Sequence, residues 1–284
     1  MAKSARAENV RLNQLRAQQA AEQRRRRVVI AVSAVVAVVV LVGALVLASI
    51  LAPKKTAAGS SPLDPTVYAT LTGVPVATFD TVGVGQGVSN PPKAISAPAL
   101  TADGKPRVLY VGAEFCPFCA AERWPFVVAM ARFGQFTGLQ ATTSAAVPEA
   151  FPETPTMSFH GATYTSQYLS FTGVETQTNT HQPLDTLSAD DQKVFDTYNS
   201  GGGIPWIDYG GKAASNGASY DTGLLAGKTQ AEVATAIADP STPISKAVLG
   251  SANAITAQLC QLTANQPAAV CTSPGVTAAA ATLK

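Results

Sequence analysis

The hydrophobic pattern divides the chain into one long apolar run and a series of shorter periodic segments. Residues 28–52 form a stretch of 25 residues without a charge. As a helix rising about 1.5 Å per residue, this stretch is long enough to cross the roughly 30 Å hydrocarbon core of a bilayer. Residues 53–63 have the Pro, Lys and Ser content of a linker, so a separate domain is expected to begin at residue 64.

Within that domain, strand and helix patterns alternate. Residues 106–115 read as a buried strand, and from Pro117 the apolar residues repeat every three or four positions, as in a helix. Residues 139–146 return to strand character and complete a β-α-β unit. Further elements are predicted as follows: helices from 65, 188, 229 and 242, two strands around Gly161, and strands opening at 204 and 213. The order predicts an α/β sandwich over residues 64–272, with 273–284 as a tail.

Charge gives the expected orientation of the chain in a membrane. Residues 1–27 carry eight basic and two acidic residues, while the remainder carries twelve basic and sixteen acidic residues, a net charge of −4. The positive-inside rule places residues 1–27 in the cytoplasm and the domain outside the cell membrane. A cleaved signal peptide, with Ala48 or Ala52 at the cleavage site, is the alternative. The arginine run at 24–27 suits anionic lipid, and nucleic acid is not an expected partner.

Two of the four cysteines lie where the first strand meets its helix. Cys116 occupies the expected helix N-cap and Cys119 follows one turn later. The positive end of the helix dipole favours a thiolate at Cys116, and Pro117 has a preset φ for the first turn. The spacing predicts an exposed nucleophile of lowered pKa, with a second thiol placed to resolve a mixed disulfide. A metal site or a structural disulfide is the alternative use of such a pair.

A second motif, Ile204-Pro205, opens a strand about ninety residues later, where a cis peptide is predicted and an ordinary trans proline is the alternative. On these two motifs the chain resembles the thioredoxin superfamily, in which a cis-proline loop lies against the Cys-x-x-Cys pair and presents a backbone edge to the substrate. The resemblance implies that Cys116 attacks, Cys119 resolves and Pro205 positions the substrate. The implied substrate-binding residues are Ile204, Pro117 and Phe118.

Four separated stretches narrow this resemblance: GAEFCPFCAAERW, TPTMSFHGATYTSQYLSFTGVET, IPWIDYGG, and the late AITAQLCQLT with PAAVC. Together they are similar to an uncharacterised thioredoxin-like family of unknown function from actinobacteria and archaea. Its members are typically anchored by one membrane helix. Two features depart from ordinary thioredoxins. Tyr110 stands where those proteins carry a buried aspartate, and residues 143–203 form an insertion before the cis-proline loop. The direction of electron flow therefore stays open.

The remaining candidate residues predict structure rather than chemistry. Cys260 and Cys271 have no helix-start or Cys-x-x-Cys context and are predicted to form a structural disulfide. His160 and His181 are too few and too isolated for a zinc site with the cysteines or for a Cys-His protease, so no metal is expected. The glycine-rich residues 82–87 lead into a proline turn instead of a helix, so we read them as a loop; no cofactor is expected. Trp124 is predicted in the core, and Arg123 in a salt bridge or at the surface.

Two functions are compatible with this sequence. The first is a membrane-anchored thiol–disulfide oxidoreductase whose partners are the thiols and disulfides of exported or membrane proteins. The second is a non-catalytic accessory or assembly subunit of a membrane complex that uses the same scaffold. For the second, the aromatic-rich residues 157–171 are the expected docking surface. Exposure of these aromatics would favour docking, whereas burial would favour a structural insertion.

Overall fold

A computed structural model describes residues 60–283 of the chain. The predicted cytoplasmic segment (1–27), the predicted transmembrane helix (28–52) and most of the predicted linker (53–63) lie outside the described residues. Within residues 60–283, no helix combines the length and the apolar character needed to cross a membrane.

The described residues contain helices and strands in mixed order. The helices are α1 Pro65–Thr72, α2 Val76–Val82, α3 Pro117–Ala131, α4 Ala189–Tyr198, α5 Gln230–Ala238, α6 Pro243–Leu262, α7 Ala268–Cys271 and α8 Pro274–Ala280, with a 3-10 turn at Thr222–Leu225. The strands are β1 Ser61–Pro62, β2 Lys93–Ala94, β3 Thr101–Ala102, β4 Lys105–Gly112, β5 Gly134–Thr137, β6 Gln140–Thr143, β7 Pro155–Ser158, β8 Thr163–Ser166, β9 Ser170–Glu175, β10 Trp206–Tyr209 and β11 Ala213–Asn216. The chain is therefore of the mixed α/β class, as predicted.

The main sheet is built around β4. Strand β9 pairs with β4 in parallel, and β10 pairs with it in antiparallel orientation on the path β2-β11-β10-β4-β3. Strands β2 and β11 extend the sheet beyond β10, again antiparallel. The order β9-β4-β10-β11 places the end of β4 in the middle of the sheet. The dithiol helix begins after this strand, so the sheet positions the cysteines centrally.

Side chains of β4 alternate between two hydrophobic cores on opposite faces of the sheet. Val108 and Tyr110 belong to the larger core, which also takes in buried residues of α3, α5 and α6. Leu109 and Val111 belong to a smaller core with Trp206, against which residues of α4 pack. Because both faces of β4 are covered, every residue from Val108 to the end of the strand is buried. The sheet is thus enclosed between helical layers.

The helix starts that rest on local capping signals are confirmed. The side chains of Asp64, Ser188, Thr229 and Thr242 each accept a hydrogen bond from the first turn of the following helix. Thr229 and Glu232 form a reciprocal capping box. Each cap satisfies backbone N–H groups that have no partner within the helix, which explains why the sequence locates these ends well.

The strand that pairs in parallel with β4 is not the one that the sequence predicts. Residues 139–146 were expected in this position, but β6 instead pairs with β1 and β7 in a separate three-stranded sheet. The parallel partner of β4 is β9, which lies inside the segment predicted as an insertion. Two strands were expected around Gly161; β7 and β8 flank it, yet β8 pairs with β5 and β7 with β6. Residues 132–169, here called the inserted segment, connect α3 to β9.

The packed unit continues beyond residue 272, into the segment predicted as a tail. Helix α8 buries Val276 and Ala279 in the larger core. Gly275 donates its backbone N–H to Asp80 at 2.8 Å, which fastens α8 to α2. Residues 274–280 are therefore part of the fold.

Candidate functional site

The two cysteines of the Cys-x-x-Cys motif lie at the start of α3. Cys116 is the N-cap residue, and its sulfur accepts the backbone N–H of Cys119 at 3.3 Å. Pro117 occupies the first position of the helix. Both thiols are free. Cys116 is only 5% exposed, so the predicted open exposure of the nucleophile is wrong.

The two thiols differ in acidity. The hydrogen bond with the Cys119 side chain is the largest of the effects that lower the pKa of Cys116 to about 7; burial acts in the opposite direction. The Cys119 backbone N–H and the charge of Arg123 lower this pKa further. Burial raises the pKa of Cys119 well above its ordinary range. A thiol whose pKa lies near ambient pH is the better attacking group, so Cys116 has the acidity of a nucleophile and Cys119 that of the second thiol.

The structure brings the Ile204-Pro205 motif to the dithiol. The Ile204–Pro205 peptide is cis, as predicted. The Cys116 thiol donates a hydrogen bond to the carbonyl oxygen of Ile204 at 3.7 Å, a long contact of the kind sulfur makes. Pro205 is buried, whereas Phe118 between the cysteines is 42% exposed. The backbone of the proline loop and an exposed aromatic side chain therefore border the sulfur of Cys116.

A buried ion pair joins the dithiol helix α3 to strand β9. The guanidinium of Arg123 contacts the carboxylate of Glu175 through two hydrogen bonds, from Nε at 2.9 Å and from Nη2 at 2.6 Å. Nη2 also donates to the carbonyl oxygen of Ala113 at 2.8 Å. Both charged side chains are fully buried. The sequence left Arg123 between a salt bridge and the surface; the structure places it in a salt bridge.

Several buried polar groups near this pair lack hydrogen-bond partners in the part of the chain that the structure describes. Within the described residues, the Tyr110 hydroxyl, both carboxyl oxygens of Glu114 and Nη1 of Arg123 are buried and have no hydrogen-bond partner. The Arg123 guanidinium lies 5.8 Å from the centre of the Tyr110 ring. Buried polar groups without partners are uncommon and concentrate at sites with a chemical role. The sequence pointed to Tyr110, but not to Glu175.

The other two cysteines form the predicted disulfide. Cys260 and Cys271 are bonded, with their Cα atoms 5.6 Å apart. The bond joins the end of α6 to the short helix α7. This prediction is confirmed.

The aromatic insertion is mostly buried. Met157, Phe159 and Leu169 are at most 2% exposed, and Phe171 packs against the same core. Phe159 also contacts Tyr110 with ring centres 4.8 Å apart. Residues 157–171 therefore contribute to the core, which favours a structural insertion over a docking surface.

Each of the two histidines contacts a neighbouring side chain. His160 pairs with Asp185 at 2.7 Å, and the His181 ring lies 4.3 Å from the ring of Phe115. Among residues 60–283, no three metal-ligating side chains cluster together. Trp124 is fully buried, as predicted, and its indole N–H donates to the Pro155 carbonyl at 3.0 Å.

One comparison with known protein families gives a match. Residues 92–201 match the model of a family described as a domain of unknown function, DUF929. The matched region includes β4, the dithiol helix, the inserted segment, β9 and α4, and it ends before the Ile204-Pro205 motif. No curated protein and no solved structure matches the chain. The match is to a family of unknown function, so it indicates no activity for this chain.

Proposed function

We propose that this protein is a membrane-anchored thiol–disulfide oxidoreductase that acts on exported or membrane proteins. The observation that carries the proposal is the placement of Cys116. It caps α3, its pKa lies at about 7, and its sulfur meets the Ile204 carbonyl at 3.7 Å. A structural cysteine needs none of these features. The charge-free residues 28–52 and the basic residues before them support an anchor with the domain outside the cell membrane.

Within the mixed α/β class, the strand order supports a thioredoxin-like fold. In that fold, the strand before the dithiol pairs in parallel with the second strand of the β-α-β unit and in antiparallel orientation with the strand after the proline loop. Strands β9, β4, β10 and β11 have this arrangement. Helix α6 follows β11 later in the chain and packs on the same face of the sheet as α3.

The proposed mechanism is two-step exchange. The Cys116 thiolate attacks one sulfur of a client disulfide, a new S–S bond forms, and the other client sulfur leaves as a thiolate. Cys119 then loses its proton and attacks the sulfur of Cys116, which releases the second client thiol. The client gains two electrons and the dithiol becomes a disulfide. The reverse sequence oxidises a client dithiol.

Trapping tests the function. Replacing the resolving thiol, Cys119→Ser, should leave mixed disulfides through Cys116, visible as reductant-sensitive bands on non-reducing gels of the full chain expressed in cells. Cys116→Ser is the matched control and should trap almost nothing. Equal capture by both variants, or capture by neither, would contradict the oxidoreductase and favour the accessory or assembly subunit.

A further inference from the structure

A cavity of about 330 Å³ opens beside the dithiol. Phe118, between the two cysteines, forms one wall, and Ile204 forms another. Since the Ile204 carbonyl is 3.7 Å from the sulfur of Cys116, the cavity adjoins the nucleophile. Its volume is near the lower end of the range for ligand pockets, about 300–1,000 Å³.

The cavity has aromatic walls from three distant parts of the chain. The rings of Phe118 and Phe151 meet edge to face, with centres 6.0 Å apart. Phe151 belongs to the inserted segment, and Tyr220 follows β11. Phe118 remains 42% exposed despite its contact with Phe151. An exposed aromatic side chain at a concave site is suited to bury an apolar group of a partner.

Two polar residues add specificity to this surface. Thr222 is only 2% exposed, and within the described residues its hydroxyl has no hydrogen-bond partner. Asp221 is exposed and is the only charged residue among the described ones that line the cavity. A buried hydroxyl without a partner favours a ligand that supplies a polar atom. A single carboxylate with no cation beside it favours a ligand with positive charge.

The loop that carries Asp221 and Thr222 is hydrogen-bonded to the dithiol helix. The side chain of Glu122 on α3 accepts hydrogen bonds from the Ser219 backbone at 2.7 Å and from its hydroxyl at 2.6 Å. The Tyr220 hydroxyl donates to the Ala121 carbonyl at 2.9 Å. The side-chain N–H of Asn90, which also lines the cavity, donates to the Ala218 carbonyl of the same loop at 2.9 Å. The cavity is therefore preformed next to the nucleophile.

We propose that this cavity binds a bulky apolar side chain flanking the reactive cysteine of a client protein, and that Asp221 selects a basic residue close to it. The inference rests on the proposed thiol–disulfide exchange, because it defines the client class of the same site. The occupant is an extended segment of another protein with aromatic or large aliphatic residues beside its cysteine and Lys or Arg nearby.

Binding of redox-inert peptides tests the inference separately from catalysis. The probes are fluorescein-labelled Lys-Phe-Ser-Phe-Lys, Lys-Ala-Ser-Ala-Lys and Glu-Phe-Ser-Phe-Glu, in which Ser replaces the client cysteine and both flanks are equal. Fluorescence anisotropy with the full chain in detergent should show the first peptide binding about tenfold or more tighter than the second, as expected for burial of one aromatic side chain. It should also bind several-fold tighter than the third.

Two variants and one control assign the effects to the cavity. Phe151→Ala should reduce the Phe-over-Ala preference to about twofold, and Asp221→Asn should remove the Lys-over-Glu preference. Val76→Ala, at an apolar residue 49% exposed on α2, should change neither. Asp221 is at the surface, so its variant tests the inference even if Phe151→Ala does not fold. Equal binding of the Phe and Ala peptides to the natural chain, or an unchanged Lys preference in Asp221→Asn, would overturn the inference.

A separate reaction distinguishes this result from failure of the proposed function. Release of the thionitrobenzoate anion from a small aromatic disulfide reports attack by Cys116 without using client contacts. If that reaction is absent while the peptide preferences persist, the cavity is supported and the oxidoreductase is not. If the reaction proceeds but the preferences are absent, the oxidoreductase stands and the cavity assignment is wrong.

Discussion

The buried carboxyl group of Glu122 should make the stability of the protein depend on pH. Glu122 is 1% exposed on the dithiol helix. Burial raises its pKa from the ordinary 4.5 to about 7, against the two hydrogen bonds from Ser219, which act to lower it. One pKa unit corresponds to about 1.4 kcal/mol, so this rise in the pKa of Glu122 corresponds to about 3 kcal/mol of unfolding free energy. The group is fully enclosed, so solvent screening reduces the figure little.

The sign follows from proton binding. Between pH 4.5 and 7 the folded chain keeps a proton on Glu122 that the unfolded chain has released. The free energy of unfolding therefore falls as pH rises through this window, and the full loss is reached above pH 7. Below pH 4.5 both states are protonated and the effect disappears. Glu122→Gln keeps an oxygen acceptor for Ser219 and cannot ionise, so it should be about 3 kcal/mol more stable than the natural chain at pH 8 and nearly equal to it at pH 4.

Urea unfolding measures this difference. The two tryptophans, Trp124 and Trp206, are buried and report unfolding of the full chain by fluorescence. Glu232→Gln is the matched control. Glu232 is exposed, and its hydrogen bonds with Thr229 lower its pKa, so the stabilising effect of its ionised form is present above pH 4.5 and is lost on acidification. Its variant should therefore show the opposite pH trend. A Glu122→Gln effect of the same size at pH 4 and pH 8 would refute the reasoning.

Two further predictions concern the site and the disulfide. Replacing both Arg123 and Glu175 by Met removes the buried ion pair without leaving one charge unpaired, so the fold should survive. Because the charge of Arg123 lowers the pKa of Cys116, this pKa should rise in the double variant. The pH dependence of Cys116 alkylation measures the change. A pKa that stays near 7 would exclude the guanidinium as a cause. Replacing Cys260 and Cys271 by Ala opens a loop with a sequence separation of 11 and should cost about 3 kcal/mol of unfolding free energy. Free alkylation of either cysteine in the natural chain without reductant would contradict the disulfide.

The elements set by local signals were predicted well from the sequence. Helix starts at Ser188, Thr229 and Thr242 depend on a side chain and an N–H group three residues away, so a short window contains the whole cause. The Cys116 N-cap is of the same kind. The cis peptide at Pro205 agreed as well, although that prediction drew on resemblance rather than on local chemistry.

Long-range pairings were not predicted. Residues 139–146 and 170–175 have similar strand character, and only the packing of the whole sheet determines which of them lies beside β4. Arg123 and Glu175 are 52 positions apart in the sequence, so no local pattern near either residue predicts the ion pair. Phe151 meets Tyr220 and Thr222 at the cavity from a separate segment, and no motif links the two segments. The exposure of Cys116 was misjudged because the Ile204 loop, which lies far away in the sequence, contacts its sulfur.

The origin of Phe151 has a consequence for how such proteins diversify. Cys116 lies at a helix start that follows a central strand, whereas Phe151 lies in the inserted segment between α3 and β9. Replacements in that loop can remodel one wall of the cavity without touching the bond-forming atoms. Under the proposed exchange, the Phe151 wall of the cavity and the two cysteines are thus encoded in separable stretches of sequence, so natural variants should differ in the clients that this wall admits sooner than in the reaction. Exchange of the loop around Phe151 between relatives is therefore a route to redirecting the protein towards new clients.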